Sequence, residues 1–200
     1  PDELTVISDL YDANLVQADN ALKAVISSWT SGRSGVVAVT SDHGELLGEH
    51  GMLQHRLITV PELLHVPMVV VGPGFEAGTR STVPVQLQDL NASLLRVGGV
   101  ETTEWTLQDA LAGTPRPEPI QAAAWPDPRV QDVPLVSAPW GYVREGDRAV
   151  AVSGERVLQF GTEPAGDALI EAARSLPSKA TGSKMLSDEA MKQLEAMGYL

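Results

Sequence analysis

The sequence predicts an α/β sandwich, in which a mixed sheet is flanked by helices, followed by a small antiparallel sheet and a terminal helix. Three observations support this prediction: a helical apolar pattern near the start, short β-branched runs closed by glycine turns, and a change of composition after about residue 113, where prolines become frequent. Alternating helices and buried strands are typical of α/β folds. Closely spaced short strands separated by turn residues are typical of an antiparallel meander.

The first predicted element is an amphipathic helix over residues 4–29. Apolar side chains recur there at spacings of three, four and seven residues, the period of a helix, and Thr30-Ser31-Gly32 follows as an end signal. The β-branched run 36–40 then predicts a strand buried on both faces, as in a sheet covered by helices. Residues 44–60 are polar and rich in glycine, and they predict a loop.

A second strand and a second helix follow this loop. Met68–Val71 is a short apolar run closed by Gly72-Pro73-Gly74, and it predicts another buried strand. Asp89 is the expected N-cap of a helix that runs through Val97 and ends at Gly98-Gly99. This completes the predicted first part of the chain, residues 1–112.

The last third of the chain differs in texture. Prolines interrupt residues 113–139, so this stretch is predicted to connect the first part to a small C-terminal subdomain over 140–200. In that subdomain the sequence predicts three short strands of a meander, then a helix, then a terminal helix that begins at Ser187; they cover residues 142–144, 149–152, 156–160, 166–175 and 187–197.

Composition excludes several classes of protein. The formal net charge is −12, from 26 acidic and 14 basic residues, so general binding of nucleic acid is not expected, because phosphate contacts need Lys and Arg. The chain has no cysteine, which excludes disulfides and thiolate metal sites. No apolar run approaches the ~20 residues of a membrane span, and the sequence predicts a soluble protein without one.

A cluster of histidines is the main functional signal. All four histidines fall between residues 43 and 65, interleaved with acidic residues. Asp42 and His43 stand where the first predicted strand meets its loop, and ligands of α/β proteins bind at the carboxyl ends of strands. A carboxylate and an imidazole are both ligands for a divalent metal. Gly44 is expected to permit the turn that lets the two side chains converge.

These residues carry a resemblance to a known family. The stretch Thr40–Gly51 resembles the signature of sulfatases in the alkaline phosphatase-like superfamily, and Glu62–Gly74 resembles the strand and turn that follow it. Tyr11-Asp12-Ala13 and the helix after Asp89 resemble the flanking helices, so the likeness covers about residues 5–99. The resemblance implies an alkaline phosphatase-like sandwich portion and a metal-dependent sulfuric ester hydrolase.

The resemblance also implies roles for individual residues. Asp42 and His43 match the family's metal-ligand pair, with Ca²⁺ favoured and Mg²⁺, Mn²⁺ or Zn²⁺ left open by the histidine. His55 falls near the family's basic residue that contacts the transferred group, which gives it a catalytic and substrate-binding role, and Arg56 is the alternative. The implied substrate is a small-molecule sulfate or phosphate ester. His50 is expected to brace the loop and His65 to be structural, while Glu45 and Glu49 are expected to support the ligands or cap the loop.

The resemblance also implies what this chain does not supply. The family's nucleophile motif is absent from it, so the expected partner is an N-terminal part of the same catalytic domain, and the chain alone is expected to be inactive. Two alternatives stay open. One is a phosphodiesterase, phosphonate or phosphomonoester hydrolase of the same superfamily, and the other is a non-catalytic fragment or binding module.

Overall fold

The computed structural model describes residues 2–55, 58–124 and 139–179. It begins with the predicted long helix, α1 (Glu3–Thr30), whose N-cap Asp2 accepts a 2.8 Å hydrogen bond from the Thr5 amide. The helix is mostly exposed, and none of its side chains is buried. No helix in the described ranges has the length and apolar character that crossing a membrane requires.

The two predicted strands of the first part are present and pair with each other. Strand β1 (Val37–Thr40) runs antiparallel to β4 (Met68–Val71), with Val37 opposite Val71. The prediction that they are buried on both faces is wrong, because Val69 and Val71 are 58% and 50% exposed. Within the described ranges this sheet has only these two strands. Val69 and Val71 alternate with half-buried residues along β4, so the face to which they point is open to solvent.

The segment predicted as a loop contains regular structure. A hairpin of two very short strands, β2 (Leu46–Leu47) and β3 (Leu53–Gln54), encloses a 3₁₀ turn over Glu49–Gly51. Gly48 and Gly51 have φ of 125° and 70°, values that glycine adopts without strain, and they allow the chain to reverse. A short helix, α2 (Pro61–Leu64), then leads into β4.

Helix α3 (Leu87–Val97) matches the predicted helix, but its cap differs. Gln86 is the N-cap, and Asp89 lies three residues further on, where its Oδ2 accepts a 2.6 Å hydrogen bond from the Gln86 amide. In a capping box, an acidic side chain at the third helical position bonds to the backbone amide of the N-cap residue. The same residue type is favoured at both positions, which explains why Asp89 was mistaken for the N-cap. A further helix, α4 (Leu107–Leu111), was not predicted and begins at the N-cap Thr106.

The C-terminal antiparallel sheet is confirmed and has one more strand than predicted. Its order is β5 (Ile120–Ala124), β6 (Trp140–Glu145), β7 (Arg148–Ser153) and β8 (Arg156–Phe160). Strand β5 lies inside the proline-rich stretch 113–139, in a short part without proline. Helix α5 (Asp167–Lys179) covers the predicted helix 166–175, whereas the predicted helix 187–197 lies outside the described residues.

The two faces of this sheet pack against different partners. Alternate residues of β6 and β7 point to opposite faces, as in any strand. One face contacts α5, and the other contacts the segment 46–63 that follows β1. The second contact buries Trp140, Tyr142, Ala149 and Ala151 against Leu46, Met52, Ile58, Val60 and Leu63. The C-terminal sheet therefore supports the segment that carries two of the four histidines, His50 and His55.

Candidate metal centre

The candidate site begins where β1 ends, at Asp42 and His43. Gly44 follows them, and its amide donates a 2.8 Å hydrogen bond to the Leu63 carbonyl of α2. A Cβ added at Gly44 would lie 2.0 Å from the Glu62 carbonyl oxygen. Gly44 is therefore needed because α2 lies so close to the loop. Gly44 is not among the glycines with positive φ, so it is the missing Cβ, and not a left-handed backbone, that this position requires.

Asp42 and His43 lie close enough to share a cation. The Asp42 Oδ1 atom accepts a 3.0 Å hydrogen bond from the His43 amide and lies 3.9 Å from His43 Nε2. His43 Nδ1 lies 2.9 Å from the Gly44 carbonyl oxygen. Because a carbonyl only accepts, Nδ1 carries the ring proton, and Nε2 keeps its lone pair. The two side chains are 64% and 38% exposed, so a divalent metal from solvent can reach both, and their donor atoms fit one.

His55 joins this group through two contacts. Its Nδ1 atom lies 2.9 Å from Glu45 Oε1, and its ring centroid lies 4.3 Å from that of His43, with the planes tilted by 37°. The prospective ligand atoms of His43, Glu45 and His55 all lie within 4.8 Å of one another. Arg56, the predicted alternative to His55, lies outside the described residues.

The hairpin explains why His55 lies beside Glu45. Leu46 is opposite Gln54 and Leu47 is opposite Leu53, so continuing that register by one residue puts Glu45 opposite His55. Gln54 has a φ of 66°, in the left-handed region that non-glycine residues rarely occupy. The chain therefore changes direction immediately before His55. Glu45 was expected only to support the ligands or cap the loop, and recognising the hairpin would have indicated its partner.

The other two histidines and Glu49 are not part of this group, and His50 and Glu49 make contacts that hold the loop. His50, at the tip of the hairpin, places Nε2 3.4 Å from Glu62 Oε2, which agrees with the predicted bracing role. Glu49 Oε2 accepts a 2.6 Å hydrogen bond from the Leu47 amide and so closes the turn. His65 is exposed at the end of α2, where its amide donates to the Pro61 carbonyl.

Comparison with known protein families identifies the first half of the chain. The family model described as sulfatase matches residues 5–100. This range includes α1, β1, the hairpin, β4 and α3, and it therefore contains the whole candidate site. It agrees with the range of about 5–99 over which the sequence motifs resemble sulfatases.

Two characterised relatives show how much of such a protein this chain represents. Arylsulfatase K from Danio rerio is 31% identical over 105 residues, which cover 51% of this chain and 20% of that protein. Choline-sulfatase from Rhizobium meliloti is 29% identical over 120 residues, 55% of this chain and 23% of that protein. The matched part thus spans about a fifth of the length of these relatives.

Solved structures support the fold. A Bacteroides thetaiotaomicron protein assigned as a sulfatase superimposes with a TM-score of 0.56 at 18% identity, covering 91% of this chain and 38% of that one. A phosphonate monoester hydrolase from Silicibacter pomeroyi superimposes with a TM-score of 0.52 at 17% identity, covering 78% and 38%. At such identities the likeness establishes the alkaline phosphatase-like fold and nothing finer.

Proposed function

We propose that this chain, whose residues 5–100 match the family model described as sulfatase, forms part of the active site of a metal-dependent sulfuric ester hydrolase. The observation that supports this most directly is the pair Asp42 and His43 at the end of β1. Its two donor atoms are 3.9 Å apart and accessible to solvent, and the pair lies inside the matched region.

In this proposal Asp42 and His43 are two ligands of a divalent cation. When bound, such a cation offsets negative charge on the group that is transferred. Ca²⁺ is the proposed ion because the resemblance to sulfatases favours it and Asp42 offers an oxygen ligand. The nitrogen ligand of His43 leaves Mg²⁺, Mn²⁺ and Zn²⁺ as alternatives. The chain contains no cysteine, and the nucleophile is proposed to come from outside these residues.

His55 is the proposed contact to the transferred group. Glu45 holds its Nδ1 atom at 2.9 Å, which fixes the ring beside His43 and leaves Nε2 available to a sulfate oxygen. With Nδ1 donating to Glu45, Nε2 donates to an ester oxygen only when the ring is the doubly protonated imidazolium, and that cation stabilises the negative charge that develops on the oxygen. Arg56 is retained as the second candidate for this contact.

A sulfate ester is preferred over a phosphate or phosphonate ester as the substrate class. The relatives that match in sequence at 31% and 29% identity are both named as sulfatases. The phosphonate monoester hydrolase is 17% identical and supports the fold alone. Among the members of the superfamily, the sequence likeness therefore favours sulfuryl transfer.

A graft into a characterised relative tests the proposal. In choline-sulfatase from Rhizobium meliloti, the segment that corresponds to residues 5–100 is replaced by this sequence, and hydrolysis of its sulfate ester is measured. We expect activity that falls at least about a hundredfold with Asp42→Asn or His43→Ala, because loss of a metal ligand costs no less than loss of its supporting partner. Asp9→Asn on the exposed side of α1 is the matched control.

The result has two clear alternatives. A folded chimaera that keeps full activity with Asp42→Asn would contradict the assignment of the ligand pair. A folded chimaera that is inactive with Asp42 and His43 intact would favour a non-catalytic fragment or binding module. The 200-residue chain itself is expected to show no turnover of an aryl sulfate. Robust turnover by the purified chain would contradict the proposal that it supplies only part of the active site.

A further inference from the structure

We propose that His43, Glu45 and His55 form a binding site for a transition-metal dication of the zinc type. This site shares His43 with the proposed calcium pair and differs from it in its other two residues, Glu45 and His55. It requires neither a sulfate ester nor a nucleophile, so it goes beyond the proposed function. All three protein ligands belong to this chain, so metal binding can be measured on the chain alone.

Distances support this assignment. The three prospective ligand atoms lie within 4.8 Å of one another. Ligands of a tetrahedral zinc ion, with bonds of about 2.0–2.2 Å, lie about 3.4 Å apart. The His55 Nδ1 and Glu45 Oε1 atoms are 2.9 Å apart in a hydrogen bond. Coordination through Nδ1 replaces this hydrogen bond, with the ring proton moving to Nε2. Shifts of about 1 Å by these partly exposed side chains then give the spacing of a tetrahedral site.

The hydrogen bonds of His43 prepare it as a ligand. Its Nδ1 proton is donated to the Gly44 carbonyl at 2.9 Å, which leaves Nε2 unprotonated. Metal-binding histidines usually donate their second ring nitrogen to a carbonyl or carboxylate in this way, because the bond fixes both the tautomer and the ring orientation. Gly44 is itself held against α2 by the Leu63 carbonyl, so the orientation is anchored to the core.

The donor set selects the class of metal. Two imidazoles and one carboxylate suit zinc and its neighbours, whereas calcium favours an all-oxygen shell. The side chains of His55 and Glu45 are 62% and 29% exposed, so solvent can supply the fourth ligand. Three protein ligands with an open fourth position are the arrangement of accessible zinc sites.

Sharing of His43 has a consequence that rests on the proposed function. An ion held by His43, Glu45 and His55 occupies the imidazole that the calcium pair also needs. Zinc is therefore expected to compete with calcium for this chain. The zinc site itself stands or falls on binding alone, whereas the proposed function is tested by the activity of the chimaera.

Titration of the purified 200-residue chain with Zn²⁺ by calorimetry, and with Co²⁺ by visible absorption, tests the site. We expect one ion per chain, with Glu45→Gln and His55→Ala each lowering the affinity at least about tenfold. The exposed His65→Ala is the control and is expected to leave it within about twofold. Circular dichroism of every variant confirms that it is folded.

Three results would overturn the site. The first is a folded chain that binds neither Zn²⁺ nor Co²⁺. The second is zinc binding that is lost with Asp42→Asn but kept with Glu45→Gln, because the ion would then belong to Asp42 and His43. His50→Ala separates a third arrangement, since loss of binding in that variant would assign the ion to His50 and Glu62 instead.

Discussion

At the scale of single residues, Gly44 determines how closely α2 approaches the candidate ligands. The Glu62 carbonyl oxygen occupies the space that a Cβ would take, 2.0 Å from its ideal position. Gly44→Ala is therefore expected to lower the free energy of unfolding by about 1–3 kcal/mol. Chemical denaturation measures this change. The same variant is expected to weaken zinc binding, because the displaced carbonyl of Gly44 orients His43.

Gly98 provides the matched control for this prediction. It has a negative φ of −73°, and a Cβ there would meet its nearest neighbours at 3.4 Å. Gly98→Ala is expected to be neutral or to stabilise the chain by about 0.4–1 kcal/mol through the unfolded state. If Gly44→Ala were as harmless as Gly98→Ala, the close packing of α2 on the loop would be wrong.

Residue identity and local position were sufficient to predict part of the site. Asp42 and His43 stand at the end of a strand that is evident from its β-branched run, so their proximity follows from the sequence. The contact between Glu45 and His55 spans ten residues and depends on the register of β2 and β3. No short-range pattern specifies that register, and the sequence therefore indicated His55 without indicating its partner.

At the scale of elements, the same reasoning explains which parts of the fold were predicted. The predicted elements are those whose length or apolar periodicity can be recognised in the sequence; they include α1, α3, β1, β4, β6, β7 and β8. Strands β2 and β3 have two residues each, too few to show alternation. Strand β5 lies among prolines, and its pairing with β6 is a tertiary contact that overrides the local composition.

Helix α3 is joined to the segment after α4 by a buried ion pair. The guanidinium of Arg116 makes two hydrogen bonds to the Asp89 carboxylate and one of 2.9 Å to Gln86 Oε1, and it stacks 4.9 Å from the Trp105 ring centroid. Asp89→Asn leaves this buried cation without its counter-charge. We expect a loss of about 3–5 kcal/mol in unfolding free energy, measured by denaturation in urea.

The exposed ion pair between Arg96 and Asp109 is the comparison for this change. Its side chains are 40% and 28% exposed, so solvent screens their attraction. Arg96→Ala is expected to cost about 0–1 kcal/mol. Equal losses in Asp89→Asn and Arg96→Ala would mean that burial of the Asp89 pair contributes nothing.

Strand β6 makes the stability of the fold depend on pH through Tyr142. Burial raises the pKa of the Tyr142 hydroxyl above its ordinary value of 10.0, and the nearby Arg144 opposes this effect in part. Because the folded pKa is raised, the stabilising contribution is fully present below pH 10 and is lost as pH rises through the folded pKa. Denaturation at pH 9 to 11 should show this loss, and Tyr142→Phe should reduce its slope.

The comparison of slopes is what tests this prediction, since other groups also titrate in alkali. Tyr11→Phe on α1 serves as the control, because it removes a tyrosine that lies outside the sheet. An alkaline slope that is the same in Tyr142→Phe and in the unmodified chain would show that the hydroxyl ionises equally in both states.

At the scale of the whole molecule, burial is distributed unevenly. One core cluster joins the segment 46–63 to the C-terminal sheet across the proline-rich stretch, and a second joins that sheet to α5. Helix α1 contributes no buried side chain, although its apolar residues follow a helical stripe. The sequence predicted the stripe, but periodicity does not reveal whether a partner covers it within the same chain.

This stripe on α1 is expected to make the 200-residue chain self-associate. Leu4, Leu15 and Leu22 are 50%, 51% and 41% exposed, and their helical spacing places them on one side of α1, where exposed apolar side chains promote association. The double change Leu15→Gln and Leu22→Gln should shift sedimentation toward the monomer at high concentration. It should alter the unfolding free energy of the monomer by no more than about 0.5 kcal/mol per site, because exposed side chains lose little on substitution.

Leu46 is the control for this prediction, because a change at a buried residue should lower the unfolding free energy and leave association unchanged. Leu46→Ala removes a fully buried side chain from the core beneath the candidate site and should cost about 2–5 kcal/mol, with no specific effect on sedimentation of the folded chain. A loss of similar size in the α1 double variant, measured at a concentration where the chain is monomeric, would contradict the exposure of the stripe. An unchanged sedimentation profile in a folded double variant would instead show that α1 does not mediate association.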